Sequence, residues 1–187
     1  RNGHPYQLLD PASDAGAQAL IDRFKVGHQD LPIVLCPNGE LLRNPSDVTV
    51  ARCIGLVRRI DPAKLYDVAI VGAGPAGLAT AVYAGSEGLS AIVLDSRAFG
   101  GQAGASARIE NYFGFPTGIS GGDLTERAVI QAEKFGAHFT SPCTAASLRE
   151  EAGHLVIRLS DGTDVAARAV IVASGASYRR LDAASKH

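Results

Sequence analysis

The stretch VAIVGAGPAGLATAVYAGSEGLSAIVLDSRAFGGQ, Val68–Gln102, decides the fold. It opens with a β-branched run ending at Gly72, and an Ala-rich helical segment begins directly after Gly74 and Pro75. The glycines of Gly72-Ala-Gly74-Pro-Ala-Gly77 carry three separate demands. Gly72 permits a tight strand-to-helix turn, Gly74 lets the backbone approach a pyrophosphate, and Gly77 lets the helix lie against the strand. Pro75 and Ala76 open the helix, whose first N–H groups attract a phosphate. A second apolar run, Ser90–Leu94, follows. Asp95 ends it, 23 residues after Gly72, where a carboxylate accepts hydrogen bonds from an adenosine ribose, with Ser96 beside it. This order predicts a parallel α/β nucleotide-binding unit, and the fingerprint alone serves NAD and FAD equally.

The residues beyond Asp95 narrow the choice. FGGQAG (99–104) and ARIENYFGFPTGISGGDL (107–124) closely resemble the segments that follow the fingerprint in bacterial thioredoxin reductases. The resemblance runs from Tyr66 to about Leu181. It implies that Gly100, Gly101 and Gln102 line the pyrophosphate and isoalloxazine side of a bound FAD, with Asn111 near the flavin. Paired glycines present main-chain N–H groups, while Gln and Asn supply donors and acceptors together. Tyr112, Phe113 and Phe115 are placed to wall the ring. Ala173-Ser174-Gly175, after the run AVIV, stands where such reductases have Ala-Thr-Gly, and implies a turn on the cofactor side.

In that family NADPH reduces FAD, and FAD reduces a CxxC pair carried on a separate NADPH-binding domain. The resemblance further implies a cytoplasmic homodimer whose partner is thioredoxin or another disulfide protein. The present sequence has one GxGxxG, no CxxC, and no returning Gly-Asp segment before His187. It starts at Arg1 and contains no Met, so it reads as a piece of a longer chain, inactive alone. Two other readings stay open. One is a ferredoxin or flavodoxin reductase of thioredoxin-reductase type; the other is a non-catalytic FAD-binding, redox-sensing module. An NAD-dependent dehydrogenase leaves GGQ and IENYFGFP unexplained.

Past the aromatic segment, SGGDLTERAVIQAEKFGAHF predicts an amphipathic helix with Leu124, Ala128, Val129, Ala132 and Phe135 on one stripe and Gly136 ending it. Residues 143–176 alternate apolar and polar around EEAGH and SDGT. They predict a three-stranded antiparallel meander that returns to the parallel sheet.

Ahead of the fingerprint lies a second unit. HPYQLLD reads as a strand. Ala17, Leu20, Ile21 and Phe24 recur at helical spacing, between Asp14 as cap and Gly27 as terminator. LPIVLCPNGELLRN predicts a hairpin about Asn38-Gly39 with a two-residue turn. Ser46 or Asp47 caps a last helix with Val50, Cys53, Ile54 and Val57 on one face. This β-α-β-β-α order resembles the second half of a thioredoxin or glutaredoxin fold, in which Pro32 would occupy the cis-proline position. Polar residues around Pro62 suggest a boundary that divides the chain into a partial thioredoxin-like domain, 1–61, and the first segment of an FAD-binding domain, 62–187.

Composition sets the outer bounds. Eighteen Lys and Arg against nineteen Asp and Glu, with no basic block, argue against nucleic acid as a partner. No apolar run approaches the roughly 18 residues that span a bilayer, so no membrane segment is expected. Cys36, Cys53 and Cys143 form no CxxC and are odd in number, which argues against a disulfide framework or a zinc site. His4, His28, His138, His154 and His187 are scattered, and no metal or acid–base role is expected of them.

Overall fold

The computed structural model describes residues 6–55, 57 and 60–176. His4, Pro5, Arg58, Arg59, His187 and the end of the reductase resemblance, near Leu181, lie outside them.

The larger unit is a six-stranded mixed sheet. Strands β3 (Leu65–Val71), β4 (Ala91–Leu94), β5 (His138–Thr140) and β8 (Asp164–Val172) run parallel, and β6 (Ala145–Glu151) and β7 (His154–Leu159) extend it antiparallel, in the order β5-β4-β3-β8-β7-β6. Helix α3 (Pro75–Ser86) connects β3 to β4, and α4 (Gly121–Lys134) precedes β5. The expected parallel sheet with an antiparallel meander is therefore present. Its meander turns fall where the sequence places them: Ala152 and Gly153 both take positive φ between β6 and β7, and Asp161-Gly162 turns β7 into β8.

Period-two alternation splits the sheet's side chains between two cores. Ile70 and Val93 join Leu78, Ala81, Ala132 and Phe139 on one side; Ala69, Ile92 and Leu94 join Tyr66, Ile157 and Val165 on the other. Because both faces are covered, β4 is buried at all four positions, as a central parallel strand requires. Helix α4 begins where Ser120 Oγ accepts from the Asp123 N–H at 3.0 Å and stops before Gly136, which is left-handed. Its stripe meets the core through Leu124 and Ala132, whereas Phe135 at the helix end remains 39% exposed.

In the N-terminal unit, α1 (Ala15–Phe24) is capped by Asp14, whose Oδ1 accepts from the Gly16 and Ala17 N–H groups at 2.7 and 3.0 Å. It closes at Lys25 rather than Gly27. Lys25 takes the left-handed turn, while the Gly27 N–H donates to Asp30 Oδ2. Strands β1 (Ile33–Leu35) and β2 (Leu41–Arg43) form an antiparallel hairpin, and α2 (Asp47–Cys53) follows with Ser46 as its cap. The Leu31–Pro32 bond is cis, as the resemblance implied.

Three further expectations need correction here. Residues 6–10 form no strand, because β1 pairs only with β2 in the two-stranded sheet and Tyr6 and Leu8 lie in solvent. The hairpin turn is longer than two residues, because Cys36 and Glu40 close it around Pro37-Asn38-Gly39, with Gly39 left-handed. Most consequentially, Cys36 and Cys53 are joined in a disulfide. An odd number of cysteines excludes complete pairing only, and here the hairpin and α2 bring two of the three together, leaving Cys143 free. Among the described residues no helix is long and apolar enough to cross a membrane, and no cluster of three or more His, Cys, Asp or Glu side chains could hold a metal.

Candidate functional site

A cleft of about 1090 Å³ opens at the carboxyl ends of β3, β4 and β8. That is where ligands sit in open α/β sheets, and the volume suits a large cofactor. Its floor is the turn between β3 and α3. Gly72 has φ +106°, and a Cβ there would lie 2.3 Å from the Ala173 carbonyl oxygen of the strand alongside. A Cβ on Gly77 would lie 1.9 Å from the Gly72 carbonyl oxygen. Both positions are closed by backbone. Gly74 is the opposite case, because it lines the cleft and a Cβ there would meet nothing within 4 Å. Gly74 therefore keeps its backbone open to the cleft.

Asp95 ties this turn to the next strand. Its Oδ2 accepts from the Ala73 N–H at 2.7 Å and its Oδ1 from the Arg97 N–H at 2.8 Å. Ala73 is fully buried, so Asp95 satisfies a donor that water cannot reach. The remaining lone pairs of the carboxylate are available at the cleft, which Asp95, Ser96 and Arg97 all line.

Two helix N-termini share the cleft: Gly74, Pro75 and Ala76 open α3, and Gly122, Asp123, Thr125 and Glu126 open α4. Their positive dipole ends favour an anion there and offset the charge of Asp95, Asp123 and Glu126. The amphipathic pattern of α4 gives its first turn no place in the cleft, and the structure puts it there. Its signal was SGGD, where small residues bring a helix start close to another loop. A Cβ on Gly121 would lie 1.7 Å from the Ala103 carbonyl oxygen, and the buried Thr125 hydroxyl donates back to the Gly121 carbonyl at 2.9 Å.

A family profile described as pyridine nucleotide-disulphide oxidoreductase matches residues 66–186, which cover this sheet and this cleft. The chain belongs to the pyridine nucleotide-disulphide oxidoreductase family. It is 41% identical over 117 residues to a thioredoxin reductase of Treponema pallidum, an alignment covering 62% of this chain and 37% of that protein. Against a bifunctional thioredoxin reductase/thioredoxin of Mycobacterium leprae the identity is 37% over 118 residues, covering 63% of this chain and 25% of the relative. The solved thioredoxin reductase of Streptococcus pyogenes superposes with a TM-score of 0.59 at 33% identity, over 63% of this chain and 38% of that one. The chain thus spans well under half the length of these relatives.

Within this family unit, the structure sorts the sequence-predicted site residues. Gly72, Gly74, Pro75, Ala76, Asp95, Ser96, Gly101, Gln102, Ala173, Ser174 and Gly175 line the cleft together. Gly77 and Gly100 are not among its lining residues. The Gly100 N–H donates to the Ala73 carbonyl at 2.7 Å, so this glycine joins its loop to the fingerprint turn. Gln102 bridges the cleft mouth, its Nε2 donating to the Ala176 carbonyl at 2.7 Å. Asn111 is not brought to the cleft; it is exposed in a loop closed by the Ile109–Ile119 bridge. Tyr112, Phe113 and Phe115 line a smaller cavity of about 280 Å³ with Leu78, Val82 and Tyr83 of α3. Pro75 and Thr125 border both cavities.

Proposed function

We propose that this chain is the FAD-binding part of a thioredoxin-reductase-like flavoprotein that passes electrons from NADPH through FAD to a protein disulfide. The observation that carries the reading is the cradle at Gly74, where an open Cβ direction and the start of α3 face a cleft of cofactor size. The residues fit the group. The turn Gly72–Ala76 would hold the pyrophosphate, Asp95 the adenosine ribose, and Gly101, Gln102 and Ala173–Gly175 the remainder. When bound, FAD supplies the hydride and electron chemistry, while the chain binds and orients it and excludes water. NADPH would be held by a separate domain of the whole protein.

The family match and the names of the relatives support a disulfide-reducing role, with thioredoxin or another disulfide protein as partner. We read the boundary as 1–61 and 62–187, and the whole protein as a cytoplasmic homodimer. The test is a visible absorbance spectrum of the full-length natural protein, before and after NADPH is added without air. A flavin spectrum that bleaches supports the reading, and a colourless protein overturns it. Gly74→Val separates site from fold, because its side chain enters the cleft and not the core. The variant should keep its circular dichroism and purify without flavin. Stoichiometric flavin in it would remove Gly74 from the binding site.

A further inference from the structure

Cys36 follows β1 and is 4% exposed, while Cys53 is the last residue of α2 and half-buried; their Cα atoms are 5.7 Å apart, an ordinary disulfide span. The unit they join has few other means of staying ordered. Among its described residues only Ala17, Cys36 and Ala51 are buried. Its two strands have three residues each and α2 has seven, lengths that do not persist without tertiary support. Small units with sparse cores rely on covalent staples. The cross-link here runs between the hairpin and the end of the helix, the two elements that need holding.

We propose that Cys36–Cys53 is a reversible disulfide, reducible by a dithiol in the native protein, and that its reduction releases α2 from the hairpin. A thiolate of the dithiol attacks Cys53 Sγ, the sulfur of the less buried residue. The Cys36–Cys53 bond breaks, and Cys36 leaves as a thiolate that takes up a proton. The second sulfur of the dithiol then displaces Cys53 from the mixed disulfide. The dithiol ends as a disulfide, and the pair has gained two electrons and two protons. The release reaches the sheet domain, because Arg52, adjacent to Cys53, pairs with Asp161 in the β7–β8 turn at 3.2 Å. Unravelling the last turn of α2 withdraws that contact.

The test equilibrates the full-length natural protein, without denaturant, in dithiothreitol buffers of graded reduced-to-oxidised ratio. Samples are quenched in acid and alkylated, and the Cys36 and Cys53 peptides are quantified by mass spectrometry. Hydrogen exchange over residues 47–55 is followed on parallel samples. The two cysteines should become alkylatable together, with exchange over 47–55 faster by at least about tenfold and β3 and α3 unchanged. Cys53→Ser should show the fast exchange with no reductant present. A pair that opens only when the protein is unfolded overturns the proposal. So does a reduced pair with unchanged exchange, and so does alkylation of either cysteine in the absence of reductant. None of these readouts depends on flavin.

Discussion

Asp95→Ala is the most informative single change, because it separates a structural carboxylate from a solvated one. The substitution removes both acceptors and leaves the Ala73 N–H, on a fully buried residue, without a partner. An unsatisfied buried donor costs about 1–3 kcal/mol, and hydrogen bonds to a charged group contribute about 1.5–3 kcal/mol. The Arg97 N–H lies on an exposed residue, and water replaces much of its bond. The net loss of stability in flavin-free protein is therefore about 2 kcal/mol. With a urea slope of about 2 kcal/mol/M the midpoint should fall by about 1 M. Asp95→Asn keeps one acceptor oxygen, enough for Ala73, and should lose less than half as much. Circular dichroism in urea gives the midpoint, and hydrogen exchange of the Ala73 amide reports the bond itself. Separately, if Asp95 holds the adenosine ribose as proposed, FAD affinity should weaken by about 1–3 kcal/mol. A midpoint unchanged to within about 0.2 M, with Ala73 still protected, would refute the reasoning.

Gly72→Ala places a Cβ 2.3 Å from the Ala173 carbonyl oxygen on a backbone with φ +106°, and should cost more than about 3 kcal/mol, seen as loss of soluble folded protein. Asp67 accepts from the Ser90 hydroxyl at 2.7 Å and from the Ser90 N–H at 2.9 Å, and with Arg168 nearby these hold its carboxyl below the ordinary 3.8. Its contribution is thus complete above that ordinary value and disappears as pH falls through the lowered one. Wild type and Asp67→Asn should differ in urea midpoint at pH 7 and converge in acid. Burial pushes the Cys143 thiol up to about 12, so native protein at pH 8 should leave Cys143 unalkylated by iodoacetamide, as peptide mass spectrometry would show.

What the sequence made legible is what local chemistry encodes. A β-branched run ending in glycine, an acidic residue one strand later and Gly in the turns each constrain their own backbone, and the sheet, α3, α4 and most of the cleft lining followed from them. Partners far apart in sequence were not legible. Asp95 was correctly placed at the end of β4, but its bond to the Ala73 N–H depends on how two strand ends meet. Cys36 and Cys53 meet through the fold of the hairpin and α2, which spacing does not state. The aromatic trio sits against α3 rather than in the main cleft because the Ile109–Ile119 bridge folds that loop onto itself.

The glycines make the same distinction at atomic scale. Read as letters, Gly72, Gly74, Gly77 and Gly100 carry one message, bare backbone. In the structure a Cβ on Gly72 or Gly77 would strike a carbonyl, and one on Gly100 would come within 2.9 Å of Thr125. These three are bare because protein fills the space. Gly74 alone of the four faces open volume, so Ala at each position should divide them: three variants lose stability, and Gly74→Ala keeps it. Flavin loss in the first three would follow from loss of the fold. Flavin loss in a stable Gly74→Ala protein can arise only at the cleft, which makes that one methyl group the direct probe of what the cleft holds.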